Sequence, residues 1–247
     1  MSRLDWLIAR PVAHRGLHDA RDGVIENTPS SFTAAVAANY AIECDLQISA
    51  DGEAMVHHDE TLGRLTDGSG RLDTITAADL RRVTFRDTAD RMITLGELCN
   101  LVAGRVALVI ELKGRFDDDR RLVARAAEVL GSYSGPAAVM SFDPAQIAAL
   151  RAIAPALTRG LVAERNRRRE GEPLWAGGER TLAYIPQAWR SRLQFLAYSV
   201  KDLPGAAPLA ARNILGLPLL TWTVRTDDDR QRAARWADQM IFEGFRP

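Results

Sequence analysis

Lysine is almost missing from this chain. Of its 32 basic side chains only Lys113 and Lys201 are lysines, and the rest are arginine. A site that needs a compact ammonium rather than a planar guanidinium must therefore use one of these two, which singles out Lys113 at the end of an apolar run. Cysteine is equally scarce. Cys44 and Cys99 are the only two, both in apolar stretches, which excludes a disulfide scaffold and a Cys-rich zinc site and points to buried, reduced thiols. No run approaches the ~18 apolar residues of a membrane span, and the opening MSRLDWLIARPVAHR lacks the features of a secretory signal. The expectation is a cytoplasmic protein without a transmembrane segment. Neither sign of charge is in excess: 32 basic residues meet 32 acidic ones, which leaves no electrostatic footprint for nucleic acid. What the chain has is apolar content, 47% of 247 residues, enough for one large core. A single domain over 1–247 is the default reading, and nothing fixes its oligomeric state.

The stretch Ile42–Asp59, IECDLQISADGEAMVHHD, carries the densest chemistry. Side chains alternate across a strand, so Glu43 and Asp45 share one face while Cys44 and Leu46 share the other. Asp51-Gly52 signals a tight hairpin turn. With a two-residue loop, Ala50 pairs with Glu53, Ile48 with Met55 and Asp45 with His58, which brings Glu43, Asp45 and His58 together. Charged pairs on strands are commonly solvated. Here, however, a helix-like run ending at Asn39-Tyr40-Ala41 precedes the strand, as in an α/β fold whose strands are buried, and buried carboxylates need a metal or a positive partner.

The rest of the chain alternates strand and helix. Pro11–Ala13 forms a short strand with His14 at its carboxyl end, followed by Arg15 and Gly16; His18 reads as a surface residue. Glu26 and Asn27 lie in a loop as hydrogen-bonding braces, and Thr28-Pro29 starts a helix. After the hairpin, a turn-rich stretch carries one short helix from Thr76 and reads as a small rim insertion. Thr94 and Glu97 open the next helix. In Val106–Lys113 the residues Ala107, Val109, Glu111 and Lys113 share a face, an apolar stripe ending in two charges. Further strands follow at Ala137–Phe142, Arg159–Val162, Phe195–Ser199, Leu219–Val224 and Gln239–Glu243, with the arginine-rich run Glu164–Glu170 just after Arg159–Val162. With the returning hairpin arm set aside, about eight parallel strands result, as a (β/α)8 TIM barrel with a β-hairpin extension after the second strand requires. An open doubly wound sheet would want a Gly-rich phosphate turn after its first strand, and none is present.

Val12-Ala13-His14-Arg15-Gly16, Glu26-Asn27-Thr28, His58-Asp59, Leu62-Gly63-Arg64-Leu65-Thr66, Glu111-Leu112-Lys113, Ser141-Phe142 and Trp222-Thr223-Val224 occur in this order over nearly the whole chain. Together they resemble the glycerophosphodiester phosphodiesterase family. The resemblance implies a barrel enzyme that hydrolyses small-molecule glycerophosphodiesters to an alcohol and glycerol 3-phosphate with a divalent metal. It places catalytic histidines at His14 and His58, metal-binding carboxylates at Glu43, Asp45 and Glu111, and substrate-binding groups at Arg15, Lys113 and Trp222. Three hard carboxylates suit Mg²⁺ or Ca²⁺. Which histidine is acid and which base stays open. The chain departs from the family at Glu243, where many members carry Thr-Asp, and at Arg225, which replaces a frequent Asn. Two other readings use the same residues: a lysophospholipase D-type enzyme, and a phosphate-binding barrel without catalysis.

Overall fold

A computed structural model describes residues 4–165 and 191–247. Eight parallel strands close into a barrel: β1 (Val12–Ala13), β2 (Ala41–Ile48), β4 (Leu108–Leu112), β5 (Ala137–Ser141), β6 (Thr158–Ala163), β7 (Phe195–Ser199), β8 (Leu219–Val224) and β9 (Gln239–Phe242). Closure runs through β1, where Val12 is in register with Ala41 of β2 on one side and with Ile241 of β9 on the other. The antiparallel arm β3 (Ala54–Val56) pairs with β2, and on its other side Met55 bridges to Thr94.

Alternation along the strands sorts the core into two layers. Ile42, Cys44, Leu46, Leu108, Ile110 and Leu112 point outward and pack with apolar residues of the surrounding helices. Val12, Ala41, Val109, Ala138, Met140, Val162, Phe195 and Ile241 fill the barrel. Both cysteines are buried and free. On β2 every residue is buried, so the inward Glu43 and Asp45 stand in the wall of a closed barrel rather than on a wet face.

The helix starts are where the sequence puts them. Thr28 precedes the helix Pro29–Ala37, with Ser31 Oγ accepting the Thr28 N–H. Thr94 and Glu97 form a reciprocal cap on Leu95–Val102, and Asp143 accepts from Ala145 N at the start of Pro144–Ile153. The rim insertion carries the short helix Ala77–Leu80, capped by Thr76, over its own apolar cluster of Met55, Leu62, Leu72, Leu80, Phe85 and Met92. No helix among the described residues is long and apolar enough to cross a membrane.

The hairpin register differs from the expected one by a residue. Gln47, not Ile48, opposes Met55, and Ile48 opposes Ala54. The loop holds three residues rather than two: Ser49 N bonds Glu53 O at 3.0 Å, Gly52 N bonds Ser49 O at 3.1 Å, and Gly52 alone takes a left-handed φ of +85°. This is a tight turn followed by a glycine bulge, which Asp-Gly serves as readily as the two-residue loop. The last ladder bond, His57 N to Asp45 O, makes His57 the residue opposite Asp45.

Candidate active site

The strand ends gather the charged residues at one mouth of the barrel. His14 follows β1 and donates its backbone N–H to Phe242 O at 2.9 Å, which anchors it to β9. Arg15 takes a left-handed φ of +57°, and its backbone N–H donates to Glu43 Oε2 at 2.9 Å. Its guanidinium bonds Glu26 at 2.7 Å and lies 3.3 Å from Asp45. Asn27 is also left-handed. Its amide donates to Asp45 Oδ2 at 2.9 Å while its oxygen accepts the Asp45 N–H at 3.3 Å. Glu26 and Asn27 are thus the braces the sequence suggested.

Glu43, Asp45 and Glu111 each place an oxygen within 4.8 Å of the others, all buried. Asp45 and Glu111 are register partners on adjacent strands, and Lys113 Nζ sits 2.8 Å from both. Burial would raise the Asp45 carboxyl, but Lys113, His58 and Arg15 hold it far below the usual carboxylate range. Burial would lower the Lys113 ammonium, and the same two carboxylates hold it above its ordinary value. Glu43 is the least compensated member: burial, then the charges of Asp45 and Glu111, push its carboxyl well above normal in spite of Arg15 and Lys113. Three converging hard oxygens, one short of positive charge, fit a divalent cation.

The two histidines face the same cavity of about 220 Å³, which Glu43, Glu111, Lys113 and Trp222 also line. His14 Nε2 is 3.9 Å from Glu43 Oε2, and its Nδ1 is 2.7 Å from Glu243 Oε2. Burial lowers the His14 pKa more than the Glu243 bond raises it. His58 reaches the site although the register slipped. β3 ends at Val56, the chain bends at residues 58–60, and His58 turns over the cavity with its Nδ1 2.7 Å from Asp59. His57, opposite Asp45 in register, is instead buried edge-on to Phe85 with ring centres 6.1 Å apart. His18 is not a surface residue: it is half-buried, and its Nε2 has no hydrogen-bond partner among the described residues.

A second cleft of about 510 Å³ opens outward, lined by Gln47, Asp59, Glu60 and Thr61. It shares His58, Glu111, Lys113 and Phe142 with the inner cavity, whereas His14 and Trp222 belong to the inner one. Trp222 stands edge-on to Phe142, with centroids 5.4 Å apart, and its indole N–H is buried without a partner among the described residues. Most of the run Glu164–Glu170 lies outside the described residues.

Sequence reasoning missed three contributors. Glu243 bonds His14, and Arg225 grips Glu243 with Nε–Oε1 of 3.2 Å and Nη2–Oε2 of 3.0 Å. Arg64 grips Asp59 and Glu26 in a similar way. Glu243 and Arg225 were visible only as departures from the family pattern, without a geometry to explain them.

A closed parallel barrel whose strand ends collect three acids, two histidines and a lysine defines a hydrolase-type site of the TIM-barrel class. The model of the glycerophosphoryl diester phosphodiesterase family matches residues 14–245, and the chain belongs to that family. It is similar to a glycerophosphodiester phosphodiesterase of Caldanaerobacter subterraneus subsp. tengcongensis, 27% identical over 236 residues, covering 90% of this chain and 88% of the relative. Among solved structures, a putative glycerophosphoryl diester phosphodiesterase from Agrobacterium tumefaciens is 25% identical with a TM-score of 0.72, covering 95% and 92% of the two chains. An Oleispira antarctica phosphodiesterase, in complex with the product sn-glycerol-3-phosphate, shares the fold at 20% identity and a TM-score of 0.75, covering 94% and 91%. The chain is therefore an enzyme of the glycerophosphodiester phosphodiesterase class.

Proposed function

We propose that the barrel mouth hydrolyses glycerophosphodiesters to an alcohol and glycerol 3-phosphate, with Glu43, Asp45 and Glu111 holding a divalent cation, Mg²⁺ or Ca²⁺. The observation that carries this reading is that His14, His58, Glu43, Glu111 and Lys113 line one cavity. A bound divalent cation would supply charge neutralisation at the phosphoryl oxygens and activation of the attacking oxygen. The product held by the Oleispira relative supports glycerol phosphate as the inner ligand. In that placement Lys113 and Arg15 neutralise phosphate oxygens, and Trp222, whose buried N–H has no partner among the described residues, packs against the glycerol and offers a hydroxyl a donor.

The two cavities divide the proton work. The inner one, with His14 and Trp222, takes the glycerol phosphate, and the outer one takes the leaving group. His58 lines both, so it stands where the leaving oxygen departs and donates the proton that oxygen needs. His14, confined to the inner cavity and kept neutral by burial, accepts a proton from the attacking oxygen. The polar lining of the outer cleft favours a water-soluble headgroup over an acyl chain.

The test is release of glycerol 3-phosphate from a panel of glycerophosphodiesters, with and without chelator. Turnover that stops in chelator and returns with Mg²⁺ or Ca²⁺ is expected. Full turnover in chelator, or an unchanged rate in His58→Ala, would overturn it.

A further inference from the structure

Each histidine in the cavity is held from behind by the same arrangement. His14 Nδ1 is 2.7 Å from Glu243 Oε2, and both Glu243 oxygens meet the Arg225 guanidinium. His58 Nδ1 is 2.7 Å from Asp59 Oδ1, and both Asp59 oxygens meet Arg64, at 2.6 Å from Nε and 3.2 Å from Nη2. We infer that Glu243 and Asp59 are positioning residues for the two histidines, and that Arg225 and Arg64 hold those carboxylates in plane.

The chemistry follows from what each group can donate. An ionised carboxylate only accepts, so a neutral imidazole 2.7 Å away must carry its proton on Nδ1. Its Nε2 is then a bare lone pair turned to the cavity, ready to take a proton or, once protonated, to give one. A glutamate at a strand end has three rotatable bonds and swings freely unless something fixes it. The two-pronged guanidinium contact fixes the carboxylate plane, which a lysine in its place would not do. The backbone makes the His14 set rigid. Arg225, Glu243 and His14 directly follow β8, β9 and β1, three neighbouring strands. Glu243 N donates to Val224 O at 3.0 Å, and His14 N to Phe242 O. As an exposed ion pair Arg225–Glu243 would count for little in stability; its value lies in what it aims. Arg64 extends the second set by also bonding Glu26 at 2.6 Å, which in turn holds Arg15.

The inference rests on the acid–base reading of His14 and His58 for its kinetic consequence but not for its geometry, so two readouts separate them. In substrate-free protein at about pH 8, where imidazoles are neutral, two-bond ¹H–¹⁵N correlations report which ring nitrogen carries the proton. The four histidines are assigned by single replacements. His14 and His58 are expected as Nδ1–H tautomers. In Glu243→Ala, and less completely in Glu243→Gln, the His14 signal should move toward a tautomer mixture while His58 stays put; Asp59→Ala should do the reverse. Kinetically, Glu243→Ala should lower kcat by about 10-fold or more, between the cost of losing the carboxylate behind a metal-bound histidine and that of losing one behind a catalytic histidine, with KM changed less than about threefold. Arg225→Met should give a smaller loss, and Arg225→Lys should not restore it. A His14 tautomer unaltered in both Glu243 variants, with melting curves showing folded protein, overturns the inference. A tautomer that moves while His14→Ala turns over normally upholds the positioning and discards the acid–base reading.

Discussion

Asp45 on β2 and Glu111 on β4 stand at the same level of neighbouring strands, and the Lys113 ammonium touches both at 2.8 Å. The two carboxylates are thus held side by side by the backbone and by one cation, with Glu43 beside them.

The three acids should respond differently to removal. Glu111→Ala should lower kcat/KM by at least about 10²-fold through loss of a cation ligand. Asp45→Ala should also destabilise the fold, by about 1–3 kcal/mol, because Lys113 and Arg15 each lose one of their two carboxylate partners and keep the other, Glu111 and Glu26 respectively. Glu43→Gln should do the opposite in chelator and raise the melting temperature, since burial and its neighbours disfavour a charge there. It should also abolish the further rise that Mg²⁺ or Ca²⁺ gives the native protein. Wild-type activity in Glu111→Ala would remove the metal site from the reading.

The histidines should fail asymmetrically. His14→Ala and His58→Ala should each reduce kcat on a natural diester by about 10²–10⁴-fold. A nitrophenyl diester has a leaving group that needs little protonation, so it should recover most of the rate in His58→Ala and little in His14→Ala. Recovery in the other variant would exchange the two roles.

His57 gives the fold an acid-side weakness. Burial lowers its pKa to about 4, more than the charge of Asp59 raises it. Between 6.5 and about 4 the unfolded chain therefore binds a proton that the folded protein refuses. Stability is complete above 6.5 and falls as pH drops through that window, by ~3 kcal/mol at most. His57→Leu should flatten this part of the stability–pH curve, measured by urea unfolding at several pH values. An unaltered slope would assign the acid sensitivity elsewhere.

Asn27 should separate backbone strain from hydrogen bonding. It is 1% exposed, holds φ at +57° and makes two bonds to Asp45. Asn27→Ala loses both benefits and should cost about 2–4 kcal/mol, whereas Asn27→Gly restores the backbone and should recover roughly 1 kcal/mol of it. Equal melting temperatures for the two variants would mean that strain contributes nothing.

The parts of this site written in the sequence are those that a single strand dictates. Alternation put Glu43 with Asp45 and Glu111 with Lys113, and the caps at Thr28, Thr76 and Thr94 marked where helices begin. The hairpin register was less legible because Asp51-Gly52 suits both a two-residue and a three-residue loop, and only the ladder decides. His58 came out on the expected side for a different reason: the chain leaves the sheet after Val56, which frees it from the alternation that governs His57. Glu243 and Arg225 could not be read at all as partners of His14. Glu243 lies 229 residues from His14, and nothing local in either segment announces the other.

That separation makes the His14–Glu243 contact a seam, since β1 and β9 are the strands whose pairing shuts the barrel. Glu43, Asp45, Glu111, Lys113 and His58 sit on or just beyond β2, β4 and the rim and can be in place on an open sheet. During refolding, turnover would thus serve as a clock for the last join: far-UV signal and burial of the apolar layer can return while the first strand still lacks its neighbour, but a correctly aimed His14 exists only once the ring is complete.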